Sequence, residues 1–128
     1  MAWIDLVTLL ALVQYIVFAT MVGRARGLYG VKAPATSGHP VFERWFRVQA
    51  NTLELLIAFV PALWIAARYW PPAVIAGIGA VYLVGRALYA VTYVRDPAAR
   101  SAGFGLSMLP VLVLLIAALA GVLRGLAA

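Results

Sequence analysis

The sequence predicts an all-α integral membrane protein built as a bundle of four helices. Of its 128 residues, 66% are hydrophobic and 11% are charged, which leaves more apolar surface than a soluble domain of this size can bury. Apolar runs at residues 3–23, 72–93 and 104–124 each approach the roughly 20 residues that a spanning helix needs. A shorter run at 55–70 is lengthened by polar turns to 44–70. We therefore expect a single four-span membrane domain over residues 1–128.

The composition excludes several kinds of chemistry. The chain has no cysteine, so disulfides, thiol catalysis and thiolate metal sites are excluded. Its one histidine and four acidic residues are scattered along the chain, and they do not supply the ligand cluster of a dedicated metal site. We expect no metal cofactor, and no glycine-rich phosphate loop is present.

The net charge of +6 is distributed unevenly along the chain, and this predicts the topology. Seven basic residues lie between spans one and two or between spans three and four, whereas two lie at the other end of the bundle. The seven are Arg24, Arg26, Lys32, Arg44, Arg47, Arg95 and Arg100; the two are Arg68 and Arg124. Since basic loops stay in the cytoplasm, we expect both of these loops there and both termini on the opposite side.

Span two carries the most informative polar pattern. Arg47, Asn51 and Glu54 follow one another at i, i+4 and i+7, within roughly 40° of one stripe of a helix. Gln49 lies roughly 160° around the same helix from Arg47. Polar groups held at a membrane helix mouth usually pair or bind something polar. Because one helix presents them in two directions, our hypothesis is a polar pocket between neighbouring subunits.

Span three has a second polar stripe. Tyr82, Arg86, Tyr89 and Tyr93 fall at i, i+4, i+7 and i+11. Tyr93 by itself fits the aromatic belt of a membrane interface. Arg86 lies inside the span and needs a partner, and Glu54 is the carboxylate at comparable depth, so we expect an Arg86–Glu54 pair. Such a pair is structural, and it would also form the floor of a pocket.

Four further features are expected to matter. Arg100 falls in the first turn of span four, where the helix dipole disfavours a cation, and a residue placed against its local preference points to function. Arg24 and Arg26 are either lipid-headgroup anchors, or one of the two contacts an anionic ligand. Gln14 is expected to bridge to another helix, and Gly121 with Gly125 hints at a helix contact.

Three blocks of the sequence, taken together, resemble the motifs of a known family. They are Phe42-Glu43-Arg44 followed by Arg47-x-Gln49-x-Asn51-x-x-Glu54, then Arg86-x-x-Tyr89-x-x-x-Tyr93, then Arg100. In this order across four spans they resemble the membrane-associated proteins in eicosanoid and glutathione metabolism, the MAPEG family. Its branches include leukotriene C4 synthases and microsomal glutathione transferases. The resemblance covers most of the chain, and it implies a homotrimer with glutathione as co-substrate between subunits near the cytoplasmic face.

The resemblance also implies roles for individual residues. Glutathione contacts from one subunit would be Arg47, Asn51, Glu54, Tyr89 and Tyr93, with Arg86 at the floor, and the neighbouring subunit would supply Arg26 and Gln49. Arg100 falls where the family places the arginine that activates the thiol. A free thiol has a pKa of about 8.5, and lowering it by about two units needs roughly 2.7 kcal/mol of thiolate stabilisation. A guanidinium in a partly dry site stays charged and is suited to supply it.

The implied function is a glutathione S-transferase or peroxidase acting on hydrophobic electrophiles that enter from the lipid. One departure favours a general transferase over a leukotriene synthase, because Leu55 stands where that branch has a tyrosine. Two alternatives stay open. One is a non-catalytic lipid- or thiol-binding scaffold, in which Arg100 would be dispensable. The other is a small four-span exporter using Glu54, against which a charged Arg86 partner would argue.

Overall fold

The computed structural model describes the whole chain, Met1–Ala128, as four long helices. They are α1 (Ala2–Tyr29), α2 (Pro40–Tyr69), α3 (Pro72–Arg95) and α4 (Ser101–Ala127), with a short 3-10 turn at Pro97–Ala99 before α4. All four spans are long and apolar enough to cross a membrane. The predicted all-α, four-span membrane bundle is confirmed. The α1–α2 and α3–α4 connections lie at one end, which we call the loop end, and the two termini lie at the opposite end.

The helices run beyond the predicted spans at the loop end. Helix α1 continues past residue 23 to Tyr29, and α2 begins at Pro40 rather than 44. Hydropathy locates the segment that suits hydrocarbon, whereas the helix ends only where the backbone is capped. Gly30, at φ 67°, adopts the left-handed conformation that closes α1. His39 Nδ1 accepts a hydrogen bond from the Val41 backbone N–H at 3.2 Å and opens α2.

The main hydrophobic core fills the half of the bundle away from the loop end. Sixteen buried residues from all four helices form it, including Ile4 on α1, Leu63 on α2 and Leu114 on α4. Phe59 and Tyr82 stack within this core, with ring centroids 3.8 Å apart. Gln14 Nε2 donates to the Leu83 carbonyl at 2.9 Å, so the expected bridge from span one to another helix is confirmed. These contacts join the four helices below the loop end.

Helices α3 and α4 make the closest approach in the bundle. A Cβ at Gly85 would lie 2.5 Å from the Ser107 backbone nitrogen and 2.6 Å from the Leu106 carbonyl carbon. A Cβ at Gly103 would collide with the backbone of Tyr89. The two helices therefore meet backbone to backbone, which small residues make possible. This contact sets the position of the α4 start relative to α3.

The glycine pair near the C-terminus serves a contact inside the chain. A Cβ at Gly121 would lie 2.5 Å from Tyr69 Cβ, and one at Gly125 would lie 3.3 Å from the same ring. The expected helix contact is therefore between α4 and the end of α2. It closes the bundle opposite the loop end.

Candidate functional site

A polar cavity of about 430 Å³ lies at the loop end, between α2, the end of α3 and the start of α4. Two arginines, an amide and a tyrosine line it together with three small or aromatic residues. The lining is Arg47, Asn51, Tyr89, Arg100, Ser101, Phe104 and Gly105. No carboxylate is among these residues. The cavity is therefore suited to an anion.

The two lining arginines are not engaged by strong partners within the chain. Arg47 Nη1 lies 3.9 Å from Glu54 Oε1, and both side chains are more than half exposed, at 57% and 61%. An ion pair this long and this exposed contributes little to stability. Arg100 is exposed and its guanidinium makes no hydrogen bond within the chain. Both cations are available to a ligand.

Arg86 lies beneath the cavity and is fully buried, at 0% exposure. Its Nη1 donates to Asn51 Oδ1 at 2.7 Å and to Thr52 Oγ1 at 3.2 Å, and its Nη2 donates to Ser107 Oγ at 2.7 Å. The expected Arg86–Glu54 pair is wrong. We counted carboxylates as possible partners, whereas three neutral oxygens from α2 and α4 accept from its two terminal nitrogens, and its Nε has no hydrogen-bond partner.

The tyrosine stripe of α3 divides between the cavity and the core. The Tyr89 ring lines the cavity and lies beside Tyr93, with ring centroids 5.4 Å apart and planes 10° apart. Arg86 Cζ lies 4.3 Å from the centroid of Tyr89, within the range of a cation–π interaction. Tyr82 is buried in the core against Phe59. Tyr93 therefore supports Tyr89 from outside the cavity lining.

Two of the expected binding residues lie elsewhere, between α1 and α2. Gln49 Nε2 donates to the Tyr15 hydroxyl at 3.3 Å. Arg26 Nη1 donates to the Ala35 carbonyl at 2.8 Å, and its Cζ lies 4.7 Å from the centroid of the Phe42 ring. Neither residue lines the cavity. The two polar directions expected on α2 therefore correspond to two faces of the chain: Arg47 and Asn51 face the cavity, and Gln49 faces α1.

Several residues of the site were not found from the sequence. Ser101, Phe104 and Gly105 line the cavity, and Thr52 and Ser107 hold Arg86. Phe104 follows Arg100 by four residues, a spacing that places two residues on one helix face, so it had a usable signal. Ser107 had none, because its role depends on the α3–α4 contact.

Leu55 is the position at which the sequence departs from the pattern that the resemblance implies for the leukotriene synthase branch. Its side chain is 7% exposed and packs in the main core. Position 55 therefore adds no hydroxyl to the cavity.

The fold and site together define a class: a four-span helical membrane protein with a cationic pocket where three helices meet. The chain belongs to the MAPEG family, whose family model matches residues 4–120. This confirms the resemblance read from the three sequence blocks.

Relatives of two kinds carry names that describe an activity. The chain is 40% identical over 102 residues to human microsomal glutathione S-transferase 2, covering 80% of this chain and 69% of that protein. It is 37% identical over 117 residues to leukotriene C4 synthase from Cavia porcellus, covering 91% and 78%. It is also 47% identical over 121 residues to the uncharacterized protein sll1147 of Synechocystis, covering 94% and 88%.

Proposed function

We propose that this protein is a membrane glutathione S-transferase that joins the glutathione thiolate to hydrophobic electrophiles, with peroxide reduction as a second reaction of the same thiolate. The observation that carries the proposal is the cavity lined by Arg47 and Arg100 and by no carboxylate. Relatives named as a glutathione S-transferase and a leukotriene C4 synthase support the choice of thiol.

The charges of glutathione match those around the cavity. The tripeptide has two carboxylates and one ammonium, and its thiolate adds a further negative charge. Arg47 and Arg100 are the cations for the anionic groups, since a guanidinium binds carboxylates through paired N–H donors. Glu54, at the edge beside Arg47, is the acceptor for the ammonium. Asn51 and Tyr89 supply neutral hydrogen bonds from the wall.

Arg100 is the residue that activates the thiol in this proposal. It is the N-cap residue of α4, so its guanidinium and the positive end of the helix dipole act at the same place. Both favour the thiolate over the thiol, which lowers the pKa of the bound sulfhydryl. The helix dipole disfavours the Arg100 cation in the free protein. Once an anion is bound, the dipole and the Arg100 guanidinium both stabilise that anion.

The chemical step needs no further cofactor. The thiolate sulfur forms a bond to an electrophilic carbon while the leaving group departs with the electron pair of the bond that breaks. With an epoxide, the C–O bond breaks, and the oxygen keeps its electron pair and takes a proton from water. With a hydroperoxide, the sulfur attacks the outer oxygen, the O–O bond breaks and the alkoxide is protonated to an alcohol. A second glutathione then reduces the resulting sulfenic acid, giving the disulfide and water.

The site is proposed to be completed by a second subunit. Arg26 and Gln49 lie on the α1–α2 side of the chain, where they would serve the cavity of a neighbour in a homotrimer. The charge distribution would place this end in the cytoplasm, where glutathione is available. The electrophile would arrive from the lipid, past Phe104 at the cavity wall.

The exporter alternative loses support for a new reason. A proton-coupled carrier needs a lone acid deep within a span, whereas Glu54 is not alone, because Arg47 Nη1 lies 3.9 Å from its Oε1. The scaffold alternative is decided by experiment.

The test is an ultraviolet difference titration of the purified protein with glutathione at neutral pH. We expect a thiolate absorbance band in the wild type that is absent in Arg100→Ala. The variant should still bind glutathione but lose transfer rate by about 100-fold or more, the usual cost of one electrostatic group at a reacting atom. Arg124→Ala is the matched control, because it removes an arginine at the opposite end of α4. It should keep the thiolate band.

A wild-type protein that binds glutathione without a thiolate band would support the scaffold instead. Absence of any binding would overturn both the glutathione site and the transferase.

A further inference from the structure

The wall of the cavity formed by Asn51 has a fixed polarity. Asn51 lines the cavity and is 9% exposed, and its Oδ1 lies 2.7 Å from Arg86 Nη1. A guanidinium has donors and no acceptor, so the atom of Asn51 that faces it must be the oxygen. The amide nitrogen is then left for the cavity, since no hydrogen bond within the chain uses it.

Arg86 is held so that it cannot turn away from Asn51. Ser107 Oγ accepts from Nη2 at 2.7 Å, and it donates in turn to the Gly103 carbonyl at 2.8 Å. Thr52 Oγ1 accepts from the same nitrogen as Asn51. The guanidinium is thus clamped between α2 and α4, and its burial makes any rotation that breaks these bonds costly.

The same guanidinium reaches a second residue of the cavity. Arg86 Cζ lies 4.3 Å from the centroid of the Tyr89 ring. Because Arg86 itself is at 0% exposure and is not among the lining residues, it touches the cavity only through these neighbours. Arg86 thus lies behind the cavity wall, at the level of the pocket floor expected from the sequence.

We propose that Arg86 is a positioning residue that fixes Asn51 with its amide N–H groups toward the cavity, so that this wall binds an acceptor such as a carboxylate or carbonyl oxygen of the ligand and not its ammonium. The inference rests on the proposed function and deepens it. It assigns the part of glutathione that meets Asn51 as a hydrogen-bond acceptor, and leaves the ammonium to Glu54. It also gives the buried cation a role in selecting the ligand.

The first test is a double-mutant cycle on glutathione affinity, measured by calorimetry in detergent. Arg86→Lys keeps the charge but loses the planar fork, and should weaken affinity about tenfold, the loss expected for one misplaced hydrogen bond. Asn51→Ala should cost about the same. In the Asn51→Ala background, Arg86→Lys should cost less than about twofold further, because the residue it acts through is gone.

A purely structural role predicts that Arg86→Lys weakens glutathione affinity equally in both backgrounds. The positioning role predicts that Arg86→Lys lowers the melting temperature in both backgrounds but weakens affinity only where Asn51 is present. Leu114→Ala is the control, since it removes a buried side chain from the main core, away from the cavity. It should lower the melting temperature and keep glutathione affinity within about twofold. Additive affinity losses in the cycle would overturn the proposal.

A second measurement makes the inference independent of whether Arg86→Lys folds. The side-chain amide signals of Asn51 can be assigned by nuclear magnetic resonance from their loss in Asn51→Ala. They should shift when glutathione saturates the wild type, and signals unmoved at saturation would overturn the proposal.

The two proposals can fail separately. If the wild type binds no glutathione, the proposed function fails. The ligand-free spectra then decide the role of Arg86, because Arg86→Lys should move the Asn51 amide signals and Leu114→Ala, in the main core, should not.

Discussion

The two arginines that lie at opposite ends of α4, Arg100 and Arg124, have opposite surroundings. At the end that carries the termini, Arg124 Nη2 donates to the Tyr69 carbonyl at 3.3 Å, and its Cζ lies 4.6 Å from the centroid of the Trp70 ring. At the loop end, Arg100 makes no hydrogen bond within the chain and lines a cavity with Arg47.

The contrast separates an arginine that stabilises the fold from one that is free to bind a ligand. Arg124 contributes to closing the bundle beside Gly121, which packs on Tyr69. Arg100 has no such use, so its charge is available to a ligand. Composition and exposure alone would treat these two α4 arginines as equivalent, because both are exposed residues at helix ends. Their partners separate a structural cation from a binding one.

The two ends also differ in what fills the interior. The half toward the termini is a continuous apolar core, whereas the loop-end half contains Arg86 and its three oxygen partners. Buried polar groups of this kind require accurate placement, because an unsatisfied donor in a dry interior is costly. The loop end is therefore the part of the molecule most sensitive to helix spacing.

The largest effect is expected from Gly85→Ala. The added methyl would meet the Ser107 backbone nitrogen at 2.5 Å, so α4 must move away from α3 and take Ser107 and Arg100 with it. We expect a stability loss of about 1–3 kcal/mol from overpacking and loss of most transfer activity, measured by thermal unfolding and a conjugation assay.

Gly77→Ala is the control on the same helix, because a Cβ there meets nothing within 4 Å. It should leave stability and activity close to those of the wild type. Equal behaviour of the two variants would show that the α3–α4 contact does not set the site.

An intermediate effect is expected from Glu54→Ala. Because Glu54 does not pair with Arg86 and lies exposed beside Arg47, its removal should change the free energy of unfolding by less than about 1 kcal/mol. Glutathione affinity should fall about tenfold through loss of the partner for the ammonium. Titration calorimetry and thermal unfolding on the same sample measure both quantities. A large loss of stability would restore the Arg86 pairing that the sequence suggested.

The smallest effect is expected from Arg124→Ala. Its cation–π contact with Trp70 and its hydrogen bond to Tyr69 are exposed, so the loss in stability should be about 0.5–1 kcal/mol. Glutathione affinity and transfer rate should stay within the error of the assay. A loss of activity comparable to that of Arg100→Ala would show that the contrast between the two ends is not functional.

The sequence predicted some parts of the site well and others not at all. Arg47 and Asn51 were found from helical spacing, and Tyr89 from the stripe on span three, because residues on one helix face are fixed by the 3.6-residue period. The partner of Arg86 was not found, since pairing by opposite charge ignores hydroxyl and amide oxygens from other helices. Ser107 is one such oxygen, and its approach depends on the glycines of the α3–α4 contact.

By itself, the sequence determined that this is a four-span helical membrane protein of the MAPEG family, and which helix faces are polar. Apolar run length and helical periodicity are local properties, so they can be read along one segment at a time. The tertiary structure decided which cations are free and which are held. That outcome depends on distances between α2, α3 and α4, which are set by glycine contacts and neutral oxygens far apart in the chain.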